Sequence, residues 1–227
     1  MKSNPVIRPS KTISERVLRI LENEILSGNY RPGSRLIERD IAERLGVSRV
    51  PVREALMTLE RWGFIKEKEK NKKGREIVRL SKRDIREFYH IREFIECYAF
   101  SEKSLQNDRR LLASLRKMVE TMDEFAIEKD VESYRKLNSK FHHEFVRALN
   151  NRKLYKIYRE ISKTMRWFQA LTLYVPRMKA SNSEHKLLLK AYEEQDIFEI
   201  RRLFKKHYDQ AVELLANNLD VIKRKEA

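Results

Sequence analysis

Residues 37–64 read IERDIAERLGVSRVPVREALMTLERWGF, and this stretch decides the fold of the N-terminal part. Apolar residues recur at helical spacing up to Gly46, at Ile37, Ile41, Ala42 and Leu45. A second apolar face begins after Ser48, at Val52, Ala55, Leu56 and Leu59. Ser48 is a typical N-cap residue, and Pro51 is tolerated in a first helical turn. The pattern therefore predicts two helices joined by a turn at Gly46, where Ala42 and Gly46 would let them approach closely.

The flanking sequence adds a helix before this pair and a hairpin after it. An upstream apolar stripe ends at Gly28 and consists of Val17, Ile20, Leu21 and Ile25. Short apolar runs predict strands at 64–66 and 76–80, and the polar, basic segment 67–75 would make the turn. Helix, turn, helix and basic hairpin is the order of a winged helix-turn-helix, which we predict for residues 1–80.

The second helix of the pair has the character of a DNA-recognition helix. Its first exposed residues are Arg49, Val50 and Arg53, and an arginine there can bind guanine O6 and N7 bidentately, at about 1–3 kcal/mol of discrimination. Ser48 and the amides at the helix start suit a phosphate. Basic residues elsewhere in the part could reach the duplex, namely Arg39, Lys70, Lys72, Lys73 and Arg75. The alternative is a solvated charged face, which charge alone would favour.

Composition supports a polyanionic partner. The 227 residues include 50 Lys and Arg against 34 Asp and Glu, a net charge of +16, and such an excess favours nucleic acid. RNA is disfavoured because no aromatic-studded sheet is evident. The single cysteine, Cys97, excludes an internal disulfide and a cysteine zinc ribbon. No apolar run reaches membrane-spanning length and no secretory signal precedes the helices, so we expect a cytoplasmic protein without a membrane partner.

Residues 81–227 are almost entirely of helical period. Ser81, with Asp84 three residues later, predicts the N-cap of a new helix after the boundary at Leu80. Six apolar stripes follow, the first of them Ile91, Phe94, Ile95, Tyr98 and Ala99. Breaks are expected near 107–108, 129–130, 150–151, 176–183 and 195–196. The fold class is therefore mostly α, with a C-terminal antiparallel six-helix bundle.

Three helices of this bundle carry an inward histidine. His142 shares a face with Asn138, four residues earlier, and His185 and His207 lie among apolar residues of the fifth and sixth helices. Three neutral imidazoles and one oxygen suit a divalent metal, Zn²⁺ or Ni²⁺, with positions left open for a ligand. Each histidine taken singly is more often a hydrogen-bonded core residue. His143 lies about 100° around the helix from His142, and we expect it to face solvent or pack.

The stretch 32–64, PGSRLIERDIAERLGVSRVPVREALMTLERWGF, resembles the signature of the GntR family of bacterial transcription regulators. The all-helical second part resembles the FCD-type, effector-binding domain of the FadR branch, and six helices rather than seven resemble the VanR-like subgroup. The resemblance implies operator contacts at Arg39, Ser48, Arg49, Arg53 and Gly74. At Val50 and Pro51 it implies contacts to thymine methyl groups or none.

The resemblance also implies a divalent metal bound by an Asp-x-x-x-His pair, a Glu-His pair and a last-helix histidine. Here Asn138 stands in place of the aspartate, so the site loses one negative charge and should favour an anionic effector. Arg92 matches an arginine that often lines the effector pocket of this branch, and Arg166 is a second candidate. For either arginine, a surface ion pair is an equally good interpretation.

The function that follows is a ligand-responsive repressor that binds an inverted-repeat operator as a homodimer and senses a small organic acid. A hinge would lie near residues 80–84. One alternative is a metal-dependent hydrolase, but Glu184 lies about 100° around its helix from His185, which weighs against a general base beside the metal. A second alternative is an architectural DNA-binding protein that has no effector.

Overall fold

The computed structural model describes residues 12–27, 29–67, 74–79, 81–106, 108–172 and 175–226, and their side chains except at 164–176 and 218–226. The chain forms two compact units, residues 1–79 and 80–227. The described elements of the first unit are α1 (Ile13–Leu26), β1 (Arg35–Leu36), α2 (Glu38–Leu45), α3 (Arg49–Arg61), β2 (Ile65–Glu67) and β3 (Arg75–Ile77). The predicted order of a winged helix-turn-helix is confirmed.

The sheet contains one strand that the sequence pattern does not reveal. Its order is β1-β3-β2, all antiparallel, and Lys66 pairs with Glu76 across the hairpin. The third strand is Arg75–Ile77 rather than 76–80. The backbone of Gly33 and Ser34 exchanges hydrogen bonds with Ile77. A strand of two residues has no alternation of polarity, so β1 leaves no periodic signal.

The second unit is a bundle of six helices over the described residues. These are α4 (Lys82–Leu105), α5 (Arg109–Glu128), α6 (Val131–Ala148), α7 (Arg152–Thr172), α8 (Val175–Glu193) and α9 (Ile197–Glu226). Ser81 caps α4 in a capping box with Asp84, as predicted. Asp108 and Asp130 accept hydrogen bonds from the first turns of α5 and α6, where breaks were expected.

The break predicted at 176–183 is wrong. Helix α8 begins at Val175 and runs through this segment to Glu193. Pro176 is its second residue, and a proline in the first turn lacks only an amide proton that the helix would not use. The fifth helix is therefore 19 residues long, and His185 lies in its middle.

The buried face of α4 also differs from the predicted stripe. Ile95 and Ala99 are buried, but Ile91, Phe94 and Tyr98 are exposed. The inward face includes Tyr89 and Phe100, and it also carries two charged residues, Arg92 and Glu96. Because both sides of α4 are partly apolar, hydrophobic spacing alone selects the wrong side.

An aromatic core holds α4, α6 and α9 together. The rings of Phe100 and Phe145 stack with centroids 3.6 Å apart, and Phe204 meets Phe100 edge-on at 5.1 Å. Burial of one such side chain contributes about 1.5–3 kcal/mol. His142 and His207 each lie three residues from one of these rings, so the packing that stabilises the bundle also fixes their backbones. None of the described helices is long and apolar enough to cross a membrane.

Candidate functional site

The predicted recognition helix, α3, buries one face and exposes the other. Val52, Ala55, Leu56 and Leu59 are buried in the first unit. Arg49 and Arg53 are exposed on the opposite side, and Val50 is 61% exposed. Pro51 is half-buried. The two guanidinium groups are therefore available to a partner, which is the condition that the DNA-binding interpretation requires.

The turn before α3 depends on Gly46 for a conformational reason. Gly46 ends α2 at φ +63°, a backbone conformation that most side chains disfavour. A Cβ built at this position would meet no other atom within 4 Å, so the expected close approach of the helices at Gly46 is wrong. Ser48 is the N-cap of α3, yet its side chain makes no capping hydrogen bond. Its hydroxyl therefore remains available.

A concave surface of about 540 Å³ lies beside the start of α3. Arg39, Arg49 and Gly74, three of the predicted contact residues, line it together. Arg75, also among the basic residues predicted to reach the duplex, lines the same surface, and so does Arg35, which was not predicted. Gly74 has φ +125°, and a Cβ there would lie 3.2 Å from Arg35 Nε. Lys70, Lys72 and Lys73 lie outside the described residues.

Glu38 connects the recognition helix to this surface. Its carboxylate accepts a hydrogen bond from Arg53 Nε at 3.2 Å and another from Arg75 Nη1 at 3.2 Å. Burial alone would raise the pKa of the Glu38 carboxyl, but the hydrogen bonds from Arg53 and Arg75 outweigh burial and lower that pKa. The Arg53 side chain is thereby held against α2. No local sequence signal reveals this role of Glu38, because its two partners, Arg53 and Arg75, lie on other elements.

In the second unit, the three predicted histidines converge. His142 on α6, His185 on α8 and His207 on α9 each offer a ring nitrogen, and these atoms lie within 4.8 Å of one another. All three residues are buried. Asn138, one turn before His142 on α6, is buried as well. Three different helices thus deliver nitrogen donors to one point in the bundle.

Several polar atoms at this point have no hydrogen-bond partner among the described residues. They are Asn138 Oδ1, His142 Nε2 and both ring nitrogens of His185. Buried polar atoms are normally satisfied, because an unpaired one costs about 1–3 kcal/mol. A divalent cation bound by imidazole nitrogens and one amide oxygen would satisfy Asn138 Oδ1, His142 Nε2 and one of the two ring nitrogens of His185. The residues present therefore fit a metal ion.

Two carboxylates contact the outer nitrogens of these histidines. Glu96 Oε2 lies 2.6 Å from His142 Nδ1, and Glu184 Oε2 lies 2.5 Å from His207 Nδ1. Such contacts fix the tautomer and orient the opposite nitrogen towards a metal. The carboxylate of Glu184, predicted about 100° around α8 from His185, reaches His207 on the neighbouring helix. It approaches the outer side of the imidazole, however, and not the space between the three rings.

Glu96 is the centre of a buried hydrogen-bonded network. Besides His142, it accepts hydrogen bonds from Arg92, Tyr158 and Tyr208. Burial would raise the pKa of the Glu96 carboxyl, but the Arg92 charge and His142 overcome burial and hold that pKa far below its usual value. Glu96 is therefore an anion in the folded protein. It was missed because a glutamate four residues after an arginine resembles an ordinary surface pair.

Arg92 lies inside the bundle next to the histidine cluster. It is 5% exposed, its Nε donates to Glu96, and its guanidinium carbon lies 5.3 Å from the centroid of the Tyr208 ring. The alternative of a surface ion pair is therefore wrong for Arg92. The side chain of Arg166, the second candidate for anion binding, lies outside the described side chains.

Burial keeps the histidines neutral. It lowers the pKa of His142 to about 4, against an opposing effect of Glu96, and it lowers the pKa of His185 and of His207. Neutral imidazole is the form that binds a metal. His143 packs against Tyr158 with ring centroids 4.7 Å apart, which agrees with the expected packing role.

Arg177, which sequence analysis did not select, forms an outer layer of this site. Its guanidinium donates to Glu184 Oε1 at 2.9 Å and to the backbone oxygen of His207 at 3.3 Å. It therefore holds Glu184 against His207. No sequence signal separates this arginine from the many exposed ones, since its role depends on the crossing of α8 and α9.

Comparison with known proteins gives the family. Residues 13–71 match the gntR family of bacterial regulatory proteins, and residues 87–210 match the FCD domain. The gluconate operon transcriptional repressor of Bacillus licheniformis is 26% identical over 229 residues, which are 99% of this chain and 91% of that protein. The HTH-type transcriptional regulator YdhC of Bacillus subtilis is 32% identical over 153 residues, 66% of this chain and 67% of that one.

Solved structures agree on the fold. Escherichia coli McbR/YncC superposes with a TM-score of 0.72 at 22% identity, over 92% of this chain and 99% of that one. The matched families and the curated relatives are transcription regulators and not enzymes, which removes the hydrolase alternative. The chain therefore belongs to the GntR family of bacterial transcription regulators, and its C-terminal half is an FCD domain.

Proposed function

We propose that the protein is a repressor that binds an inverted-repeat operator as a homodimer and responds to a small organic acid bound in the FCD domain. The observation that carries the proposal is the exposure of Arg49 and Arg53 on α3, beside an arginine-lined concave surface. The 26% identical relative from Bacillus licheniformis is an operon repressor, which supports the direction of regulation.

At the operator, α3 enters the major groove from its N-terminal end. Arg49 reaches a guanine edge, where a bidentate contact discriminates by about 1–3 kcal/mol. Arg53, which Glu38 orients, binds a group of the duplex next to that guanine. The Ser48 hydroxyl, which makes no capping hydrogen bond in α3, binds another. Arg39 and Gly74, which precedes β3 of the hairpin, contact the phosphate backbone, together with Lys72 and Lys73. Half-site spacing then follows from the two-fold axis of the dimer, at about one duplex turn.

In the FCD domain, Asn138, His142, His185 and His207 would hold a divalent metal, for which Zn²⁺ and Ni²⁺ are the best candidates. When bound, the metal supplies a Lewis-acidic centre for a carboxylate oxygen. Glu96 and Glu184 orient two of the histidines. Because Asn138 brings no charge, the residues that surround the metal leave it more positive than an aspartate would.

Arg92 supplies the second cation for the effector. It is buried and fixed by Glu96, so its orientation is set before an anion arrives, which reduces the entropic cost of binding. A small carboxylate held between this guanidinium and the histidine cluster would favour one arrangement of the two units over another. Operator affinity changes only by the difference in effector affinity between those arrangements.

The experiment replaces the recognition arginine and a matched control on the same helix. We expect Arg49→Ala to lose specific operator binding by about 10-fold or more in a mobility-shift titration at fixed salt, while its metal content stays unchanged. Arg61→Ala removes an exposed arginine at the far end of α3 and should leave operator affinity nearly unchanged. Equal affinities for wild type and Arg49→Ala would refute the assignment of α3.

A thermal-shift screen of small carboxylic acids, with and without added Zn²⁺, separates this function from that of an architectural protein. A sensor shows a higher melting temperature with at least one acid, and the effect requires the metal. An architectural protein shows no such acid.

A further inference from the structure

A carboxylate lies within the surface that is proposed to bind DNA. Glu38, the first residue of α2, lines the same concave surface as Arg39 and Arg49. Burial opposes its ionisation, but hydrogen bonds from Arg53 and Arg75 lower the pKa of its carboxyl, so the group is an anion. A fixed negative charge near phosphates weakens binding to any duplex. Its place in this surface therefore requires a compensating role.

Glu38 binds one edge of the Arg53 guanidinium. Arg53 Nε donates to Glu38 Oε2 at 3.2 Å, and Arg53 Nη2 lies 3.1 Å from the same oxygen. A guanidinium is planar and carries five N–H donors in a fixed fork. Because Nε and Nη2 face the carboxylate, the edge formed by Nη1 and the second Nη2 proton faces away from Glu38. Two neighbouring donors of this kind can bind guanine O6 and N7 together.

Glu38 is itself held from its other side. Arg75 Nη1 donates to Glu38 Oε1 at 3.2 Å, and Arg75 Nε donates to Glu60 Oε2 at 3.1 Å. The four side chains alternate in charge from α3 through β3 and α2 back to α3, and we call them the Glu60–Arg75–Glu38–Arg53 chain. The Arg53 side chain, 54% exposed, is its most exposed member, whereas that of Arg75 is 15% exposed. The chain therefore ends on a cation that is oriented from within the unit.

This orientation favours contact with a base over contact with a phosphate. An arginine that can change rotamer freely binds any nearby phosphate, which adds affinity for every duplex. The charge of Arg53 is partly compensated by Glu38, so a phosphate gains less from it. A guanine in register with the outward edge still gains both hydrogen bonds. A side chain that is already held also loses less conformational entropy when it binds.

We propose that Glu38 is a positioning residue that makes the protein select a guanine through Arg53, while it weakens affinity for duplex DNA in general. The inference rests on the proposed function, since it requires that α3 enters the major groove. It goes further because it gives an acidic side chain a role in operator specificity. Substitution of Glu38 removes an orienting contact and a negative charge together, so specific and non-specific binding should change in opposite directions.

The experiment uses a duplex that the wild-type full chain selects from a random library, with each base pair of a half-site then varied singly. Arg53→Ala identifies the base pair that Arg53 reads, as the position where the preference for guanine falls. At that base pair, Glu38→Gln should lower the preference by at least about 5-fold, the smaller end of the discrimination by a bidentate contact. Its affinity for a random-sequence duplex should instead rise by about 2–5-fold at about 0.1 M salt.

Two further variants separate orientation from charge. Glu38→Asp keeps the charge but shortens the side chain, so the guanine preference should fall while affinity for the random duplex stays near that of wild type. Glu43→Gln removes an exposed carboxylate elsewhere on α2, so the guanine preference should stay unchanged. Circular dichroism and thermal melting check that all variants are folded.

A double-variant cycle tests whether Glu38 acts through Arg53. In the Arg53→Ala protein, adding Glu38→Gln should cause no further loss of preference at this base pair, because the group that Glu38 orients is absent. Losses that add would show that Glu38 acts by another route and would overturn the inference. A Glu38→Gln protein with the preference of wild type would overturn it too, as would one that loses affinity for the selected and the random duplex equally.

The outcomes separate this inference from the proposed function. If Arg49→Ala loses binding to the selected duplex but Arg53→Ala and Glu38→Gln keep every base preference, α3 reads DNA without the Glu60–Arg75–Glu38–Arg53 chain. Only the inference then fails. If Arg49→Ala binds the selected duplex as wild type does, the assignment of α3 fails and the inference fails with it.

Discussion

A single buried carboxylate joins the two cations of the proposed sensor site. Glu96 bonds Arg92 on one side and His142 on the other, so the position of the anion-binding guanidinium and the orientation of a metal-binding imidazole depend on the same side chain. Two tyrosines, Tyr158 and Tyr208, complete its hydrogen bonding. A charge that is so fully paired is tolerated in the interior, where an isolated one would not be.

This arrangement leads to a prediction for Glu96→Gln. The amide cannot orient His142 as a carboxylate does, and it leaves the Arg92 charge without a counterion. We expect Zn²⁺ affinity to fall by about 10–100-fold, measured by competition with a chromogenic chelator. The metal-free protein should also unfold more easily, by about 3–5 kcal/mol in urea, because a buried charge loses its partner.

The control is Glu93→Gln on the same helix, at a half-buried carboxylate that lines a surface groove of the bundle. It should change neither quantity. Zn²⁺ affinity that is equal in Glu96→Gln and Glu93→Gln would show that Glu96 does not orient the metal-binding histidine.

Residue spacing revealed the histidines but not their carboxylate partners. Asn138 and His142 lie one helical turn apart among apolar residues, so an inward direction could be predicted from the sequence. Glu96 and Arg177 could not be predicted in this way, because an inward charge has the same spacing as a surface charge and its partners lie on other helices. The exposed apolar side of α4, at Phe94 and Tyr98, increased the ambiguity.

At the scale of elements, the turn between α2 and α3 is a conformational requirement and not a packing one. Gly46 has φ +63°, and space is open around it. A side chain there meets no neighbour, so the only penalty is the left-handed backbone. That penalty is about 1–2 kcal/mol for an ordinary residue.

We therefore expect Gly46→Ala to lower the free energy of unfolding of the first unit by about 1–2 kcal/mol. Gly46→Asn should cost less, since asparagine tolerates this conformation better. Urea unfolding followed by the fluorescence of Trp62, in a Trp167→Phe background, reports both variants, because only Trp62 lies in the first unit. A loss well above 3 kcal/mol for alanine, shared by asparagine, would mean that the site is sterically closed, contrary to the open space observed.

The helices were more predictable than the strands for a related reason. Caps and glycines mark where α2, α3 and α4 begin or end, and these signals are local. Strand β1 has only two residues, and it exists because the backbone of β3 pairs with it. A contact between segments forty residues apart leaves no local signal.

At the scale of the whole molecule, the two units contain different halves of the proposed mechanism. The arginine-lined surface lies in residues 1–79, and the histidine cluster lies in residues 80–227. Ligand binding in one unit affects the other only if it shifts an equilibrium that both share, and the coupling is then reciprocal. The factor by which the effector changes operator affinity therefore equals the factor by which the operator changes effector affinity.

Metal removal tests this separation. We expect protein treated with EDTA and then dialysed to melt at a lower temperature than the Zn²⁺-loaded protein, since a ligand present at 100 times its dissociation constant stabilises the folded state by about 2.7 kcal/mol. His142→Ala should melt at one temperature with and without Zn²⁺.

Both metal-free forms should still bind the operator, because Arg49 and Arg53 lie in the other unit. An acid that alters the operator affinity of the metal-loaded wild type should have no effect on the operator affinity of these forms. An acid that changes the operator affinity of His142→Ala as much as that of wild type would place the effector away from the histidines. If removing the metal abolished all operator binding, the FCD domain would have to bind its metal before the dimer forms.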